Sequence, residues 1–230
     1  MSGNIAIGIQ DFSTIIQGNY FYIDKTPFIK EWWDCGDSAT LITRPRRFGK
    51  TLTMSMVEQF FSITRVPPSS SRNFPGASWV LAIWKEEKYR ELQGTYPVIS
   101  LSFARIKERD YEKTKQKMCE VLRNIYIKFC YIKDSEKLTD ADRAYYERML
   151  EENIKETDAT SSLYQLSDFL YRYYGKKVII LLDEYDTPMQ EAFVDGYWDE
   201  LVAFTRSLFN STFKTNPALE RGIMTGITRV

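Results

Sequence analysis

Apolar and polar positions fall in blocks along this 230-residue chain, and the period of each block predicts an element. The short apolar run 39–43 predicts a buried strand. The run 97–103, PVISLSF, predicts a second, with Pro97 at the first residue, where a strand tolerates proline. Residues 178–182 are five apolar side chains, three of them β-branched, bounded by Lys177 and Asp183. That is the signature of a central parallel strand buried on both faces. The stretch 222–228 predicts the last strand, and 19–23, short and aromatic, is also β-prone.

Helical periodicity fills the gaps. A helix is expected from Asp24-Lys25-Thr26-Pro27 to Cys35, with Thr26 as N-cap and the proline in the first turn. Phe48-Gly49-Lys50-Thr51 opens another, whose Leu52, Met56, Val57, Phe60 and Phe61 share one face. Residues 64–76 form a Pro/Ser-rich loop, and 79–93 look helical and charged. The segment 110–131 is a long amphipathic helix burying Met118, Val121, Leu122, Ile125, Tyr126 and Phe129. A charged helix is expected over 140–157, a helix over 163–174 ending at Gly175, and one more over 197–213. Strands alternating with helices predict an α/β fold with a mostly parallel sheet and helices on both faces.

Composition narrows the chemistry. Lys plus Arg equals Asp plus Glu at 31 each, so no global field attracts nucleic acid or anionic lipid, and any anion binding must be local. Cys35, Cys119 and Cys130 form no CxxC pair and no even-numbered framework, which fits a reduced, cytoplasmic compartment. Residues 1–10 lack the pattern of a signal peptide, and no apolar run approaches the roughly 18 residues of a membrane span. The chain has no histidine, which removes Ser-His and Cys-His nucleophiles, histidine-ligated zinc and histidine general bases. Carboxylates, lysine, arginine, hydroxyls and an oxygen-held metal remain, and phosphoryl transfer needs no more.

Two motifs supply those groups. Arg44-Pro45-Arg46-Arg47-Phe48-Gly49-Lys50-Thr51 joins a strand to a helix and matches the last three positions of G-x-x-x-x-G-K-[ST], with Arg44 in place of the first glycine. Gly49 lets the backbone approach phosphate oxygens, and the helix N-terminus offers N–H groups and a positive dipole end. Lys50 is expected to reach the β- and γ-phosphates, Thr51 to ligate magnesium, and Arg46 and Arg47 to add charge; the binding stretch runs to Leu52. The blander reading is a basic turn before an amphipathic helix. A strand before, a helix after and three arginines favour phosphate.

The second motif is Asp183-Glu184 at the end of the central strand, where open parallel sheets bind ligands. Asp183 is expected to hold magnesium through water and Glu184 to act as general base. Asp186 either orients the metal shell or caps the turn before Pro188. Alone, the acidic pair reads sooner as a solvated strand terminus, since acidic residues end many strands; the upstream GKT weighs against that. Thr225, in the last strand, is either a polar γ-phosphate sensor with a catalytic part or a buried threonine bonded to backbone. Arg229 either contacts the γ-phosphate or a neighbouring subunit, or is exposed without a role. The scattered tryptophans read as packing residues. There is no NKxD, so guanine is disfavoured and ATP with Mg2+ is the expected ligand.

The segments FYIDKTPFIKEW (21–32), LITRPRRFGKTLTMSM (41–56), YPVISLSF (96–103), VIILLDEYDTPM (178–189) and RGIMTGITRV (221–230), in this order, resemble the AAA-ATPase-like proteins, predicted P-loop ATPases of bacteria and some other microbes. That family replaces the usual first glycine, so Arg44 agrees with the resemblance. The resemblance implies a P-loop NTPase of three-layer αβα type with an added catalytic glutamate. The expected organisation is one core over 1–230, truncated at its C-terminal end, with an N-terminal family segment (1–36) and insertions at 62–95 and 132–160. Longer members continue into a C-terminal PD-(D/E)XK nuclease-like domain. The expected partners are therefore ATP, that domain in a longer form and a second copy of the chain; charge does not indicate nucleic acid, and no membrane is expected. Residues 64–80 lie outside the resemblance. Three functions compete: an ATPase coupled to a partner, a nucleotide-gated interaction module with negligible turnover, and the ATPase part of a nucleic-acid-processing protein.

Overall fold

Turn chemistry and apolar period set the elements of the computed structural model, which describes residues 4–5, 7–63 and 81–228. In chain order these are α1 (Phe12–Gln17), α2 (Pro27–Cys35), β1 (Ala39–Thr43), α3 (Lys50–Phe61), a 3-10 turn (Ala82–Lys85), α4 (Glu87–Arg90) and β2 (Val98–Ser102). They continue as α5 (Tyr111–Lys128), a 3-10 turn (Cys130–Ile132), α6 (Asp140–Arg148), α7 (Glu156–Tyr174) and β3 (Val178–Asp183). The last are α8 (Thr187–Asp195), α9 (Trp198–Phe209), a π-helical turn (Asn210–Lys214) and β4 (Leu219–Gly226). The expected loop 64–76 and Arg229 lie outside the described residues. The chain divides into two compact units, Met1–Asp37 with Arg46–Val98, and Ser38–Pro45 with Ile99–Val230.

The second unit holds the sheet, ordered β1-β4-β3-β2. β4 pairs in parallel with β1 on one side and β3 on the other, so both neighbours end at the same edge. Val178, Ile180 and Leu182 join a core with Met118, Leu122, Leu166, Phe169 and Leu208. Ile179 and Leu181, on the opposite face of β3, are fully buried too. Each such side chain contributes about 1.5–3 kcal/mol by leaving water. A strand buried on both faces belongs to a parallel sheet covered on both sides. The fold is α/β, of the three-layer P-loop NTPase type.

Several boundaries differ from the periodicity. The charged stretch expected as one helix over 140–157 breaks: α6 stops at Arg148 and α7 starts at Glu156, absorbing the helix expected over 163–174. Tertiary bonds across the break explain it. The Arg148 guanidinium grips the Asp158 carboxylate at 2.9 and 3.2 Å, and the Tyr145 hydroxyl donates to Asp158 O at 2.7 Å. Residues 187–195, for which no element was expected, form α8, with proline in the first turn and Gly196 left-handed (φ 82°) at its end. Residues 197–213 are α9 plus a π-helical turn.

The first unit departs more. Residues 19–23 form no strand; Phe21 makes one isolated parallel bridge to Ile5, after helix α1. Within 81–93 the expected helix is two short turns. Thr26 does precede α2, but its hydroxyl does not cap the helix. It donates instead to Asp24 (2.7 Å) and accepts the Ile83 N–H (3.2 Å). α3 buries Met54, Met56, Val57, Phe60 and Phe61, while Leu52 is only half-buried. Trp32, Trp33, Phe61 and Tyr96 pack ring on ring, Trp33 stacking on Phe61 at 5.2 Å, as packing tryptophans do. No helix among the described residues is long and apolar enough to cross a membrane.

Candidate functional site

The carboxyl ends of three strands gather the chemistry of the second unit. β4 is the middle strand, and its register sets Ile42 opposite Thr225 and Thr43 opposite Gly226. The Arg44 N–H continues the ladder to Gly226 O at 3.2 Å, so the chain stays in register with β4 until it enters the predicted phosphate loop. On the other side of β4, Leu182 pairs with Met224, which brings Asp183 beside Thr225. The Thr225 hydroxyl donates to Asp183 Oδ1 and accepts the Glu184 N–H at 3.2 Å. Thr225 is 1 % and Asp183 5 % exposed. One hydroxyl therefore ties both acidic residues to the strand beside the loop.

Glu184 sits where β3 stops, and its φ of 50° is left-handed. The turn it makes delivers Thr187 to the start of α8, where the Thr187 hydroxyl donates to Glu184 Oε2 at 3.1 Å. Sequence reading missed Thr187; its signal is a threonine before proline, three residues after the glutamate. Oε1 accepts no hydrogen bond from the described residues and stays available to water.

Of the two roles expected of Asp186, the cap is not made, since its side chain does not cap α8. Asp186 is fully buried, and its Oδ2 accepts from Ile227 N–H (2.8 Å), Thr228 N–H (2.7 Å), the Thr228 hydroxyl (2.7 Å) and the Gln190 amide (2.9 Å). Asp186 clamps the exit of β4. Tyr185 helps, its hydroxyl donating to Thr228 O at 3.0 Å. Gly226 is required here, because a β-carbon would fall 2.8 Å from the Asp186 carboxylate.

The first unit carries the rest of the predicted loop, from Arg46 on. Arg47 and Gly49 are both left-handed (φ 68° and 77°), so the backbone curls before α3 begins at Lys50. Gly49 is the N-cap and offers no side-chain cap, and its carbonyl accepts from Thr53 N–H at 2.9 Å and the Thr53 hydroxyl at 3.0 Å. The first-turn N–H groups of such a helix end point outward. Lys50 is buried to 8 % exposure, Thr51 and Leu52 are half-buried, and Arg44, Pro45, Arg46, Arg47 and Phe48 are exposed. An apolar Phe48 at 62 % exposure is the least expected of these.

The donor chemistry fits magnesium. Asp183 and Glu184 offer carboxylate oxygens, and magnesium takes one or two carboxylates, keeps several waters and completes its shell with phosphate.

Comparison with known proteins bears on the family of the chain. A relative from Azotobacter chroococcum mcd 1, described as "Uncharacterized protein in vnfD 5'region", is 27 % identical over 186 residues, covering 80 % of this chain and 29 % of the relative. The chain thus spans under a third of that protein's length. No solved structure matches. The family described as "Predicted AAA-ATPase" matches residues 6–230, nearly the whole length in which the loop, the acidic strand end and the intervening strand lie, and the chain belongs to that AAA-ATPase-like family.

Proposed function

We propose that this chain binds ATP with magnesium and hydrolyses it, as an ATPase core whose cycle drives a partner or a domain outside this stretch. The observation that carries the reading is the Thr225 hydroxyl, which binds Asp183 and the Glu184 amide on the strand next to β1. In this reading residues 44–52 wrap the phosphates, and Asp183 and Glu184 are the acids of the reaction. Lys50 would neutralise the β- and γ-phosphates, and Thr51 and Asp183 are the residues that would ligate magnesium. When bound, magnesium would supply neutralisation of the charge developing on the phosphoryl oxygens. Glu184 takes a proton from the attacking water through its available oxygen, as the bond from γ-phosphorus to the bridging oxygen breaks and ADP leaves. Thr225 reports on the γ-phosphate through Asp183. The core organisation expected from the sequence, with insertions at 62–95 and 132–160, goes with this reading.

A second reading, a nucleotide-gated interaction module, draws on the Thr187–Glu184 bond, which holds the carboxylate toward α8. Phosphate release under saturating ATP and magnesium separates the two. Glu184→Gln is expected to bind ATP and turn it over about 10²–10⁴-fold more slowly, the usual contribution of a general base. Release at the wild-type rate from Glu184→Gln would remove that residue's role. A wild-type rate no higher than that of Lys50→Ala would establish the switch instead.

A further inference from the structure

We propose that Lys25, which lies outside the phosphate loop, is a second cation for the polyphosphate of the bound nucleotide. The inference rests on the nucleotide-binding reading above and adds a ligand to it. Its starting point is Gly49. A β-carbon there would lie 2.9 Å from Lys25 Nζ, so the ammonium rests against the backbone of the loop's glycine. Gly49 is thus constrained twice, by its left-handed φ of 77° and by the lysine over it.

Three features suit this ammonium to an anionic ligand. First, it is unneutralised: among the described residues no carboxylate pairs with Lys25. The adjacent Asp24 spends its oxygens on neutral donors. Oδ1 accepts from Thr26 N–H (2.8 Å) and the Thr26 hydroxyl (2.7 Å), and Oδ2 from Ala82 N–H (2.6 Å). Second, its backbone is pinned. The Lys25 N–H donates to the Tyr22 hydroxyl at 3.1 Å, and its carbonyl accepts from Phe28 N–H at 3.0 Å. Tyr22 in turn reaches Met56 Sδ at 3.5 Å, on the same helix that Gly49 caps. The turn bearing Lys25 and the loop are therefore fastened to one element. Third, the loop already concentrates Arg46, Arg47 and Lys50. A further ammonium against the loop's glycine adds repulsion that a bound anion offsets. A nucleoside polyphosphate supplies that anion, and the compact Lys side chain contacts it as a point charge.

Calorimetry of magnesium–ATP and magnesium–ADP binding tests this on wild type, Lys25→Met, Lys25→Arg and Lys50→Ala. Lys25→Met is expected to weaken ATP binding about 10- to 100-fold, the range of a hydrogen bond to a charged group. Its unfolding midpoint without nucleotide should equal that of wild type, because Lys25 is exposed. Lys25→Arg should retain affinity within a few-fold, and the salt dependence of binding should be shallower in Lys25→Met. Wild-type affinity in Lys25→Met, with binding lost in Lys50→Ala, would overturn the Lys25 assignment and leave the nucleotide site standing. Equal losses in the Met and Arg variants would overturn the charge argument. No binding by wild type would overturn both.

Discussion

The hydroxyl of Thr225 spends its proton on Asp183 and a lone pair on the Glu184 amide, all inside the sheet. Thr225→Val keeps the shape and deletes both bonds. A nearly buried carboxylate oxygen and an amide then lose a partner, a loss of about 1–3 kcal/mol per unsatisfied group. We expect urea unfolding to show a loss of that order and phosphate release to fall, with Thr225→Ser retaining most of both. Full stability in the valine variant would mean that water replaces the hydroxyl. Asp186 acts at the same scale on the next turn. Three of the four bonds to its Oδ2 come from residues 227 and 228, so this acid fastens the strand exit.

Between elements, the tie of α6 to α7 is a titratable one. The Arg172 guanidinium, bonded to Asp142 at 2.9 Å, and the Thr139 cap hold the Asp142 carboxyl down at about 2. A carboxyl depressed in the folded state stabilises fully above its ordinary value near 4, and that stabilisation is lost as pH falls through about 2. Arg172→Met relieves the depression, so its helical signal should collapse at a higher pH than wild type during acid titration. An unchanged acid midpoint would show that Asp142 does not contribute. The same region shows what a sequence leaves unsaid. α7 begins after Lys155, with no side-chain cap, so nothing local announces its start; Arg148 and Tyr145 set it by reaching Asp158. By contrast β1, the core of β3 and the Gly175 cap were legible, because five-residue apolar runs and a glycine after a helix carry their own signal. α8 was legible too and was missed, since Pro188 and Gly196 bracket it. In the site, Asp183 and Glu184 at the end of one strand and Thr225 in the last strand were legible, while their adjacency came with the order β4-β3. The Thr187 bond did not, because it depends on the left-handed turn at Glu184.

For the molecule as a whole, ligand binding is readable as stability. A ligand at about 100 times its Kd adds roughly 2.7 kcal/mol to the folded state. In a chain of this size that corresponds to a rise in Tm of about 5–10 °C. Magnesium–ATP should produce such a shift in wild type and in Glu184→Gln, and none in Lys50→Ala, by differential scanning fluorimetry. An equal shift in Lys50→Ala would place the nucleotide elsewhere. The margin of the whole fold also bears on Glu184, the one non-glycine residue of the acidic turn with a positive φ. A left-handed L-residue costs about 1–2 kcal/mol that glycine avoids. Breeding this chain for heat tolerance alone would therefore draw position 184 toward glycine, and the hardiest descendants would be the ones that had gone silent.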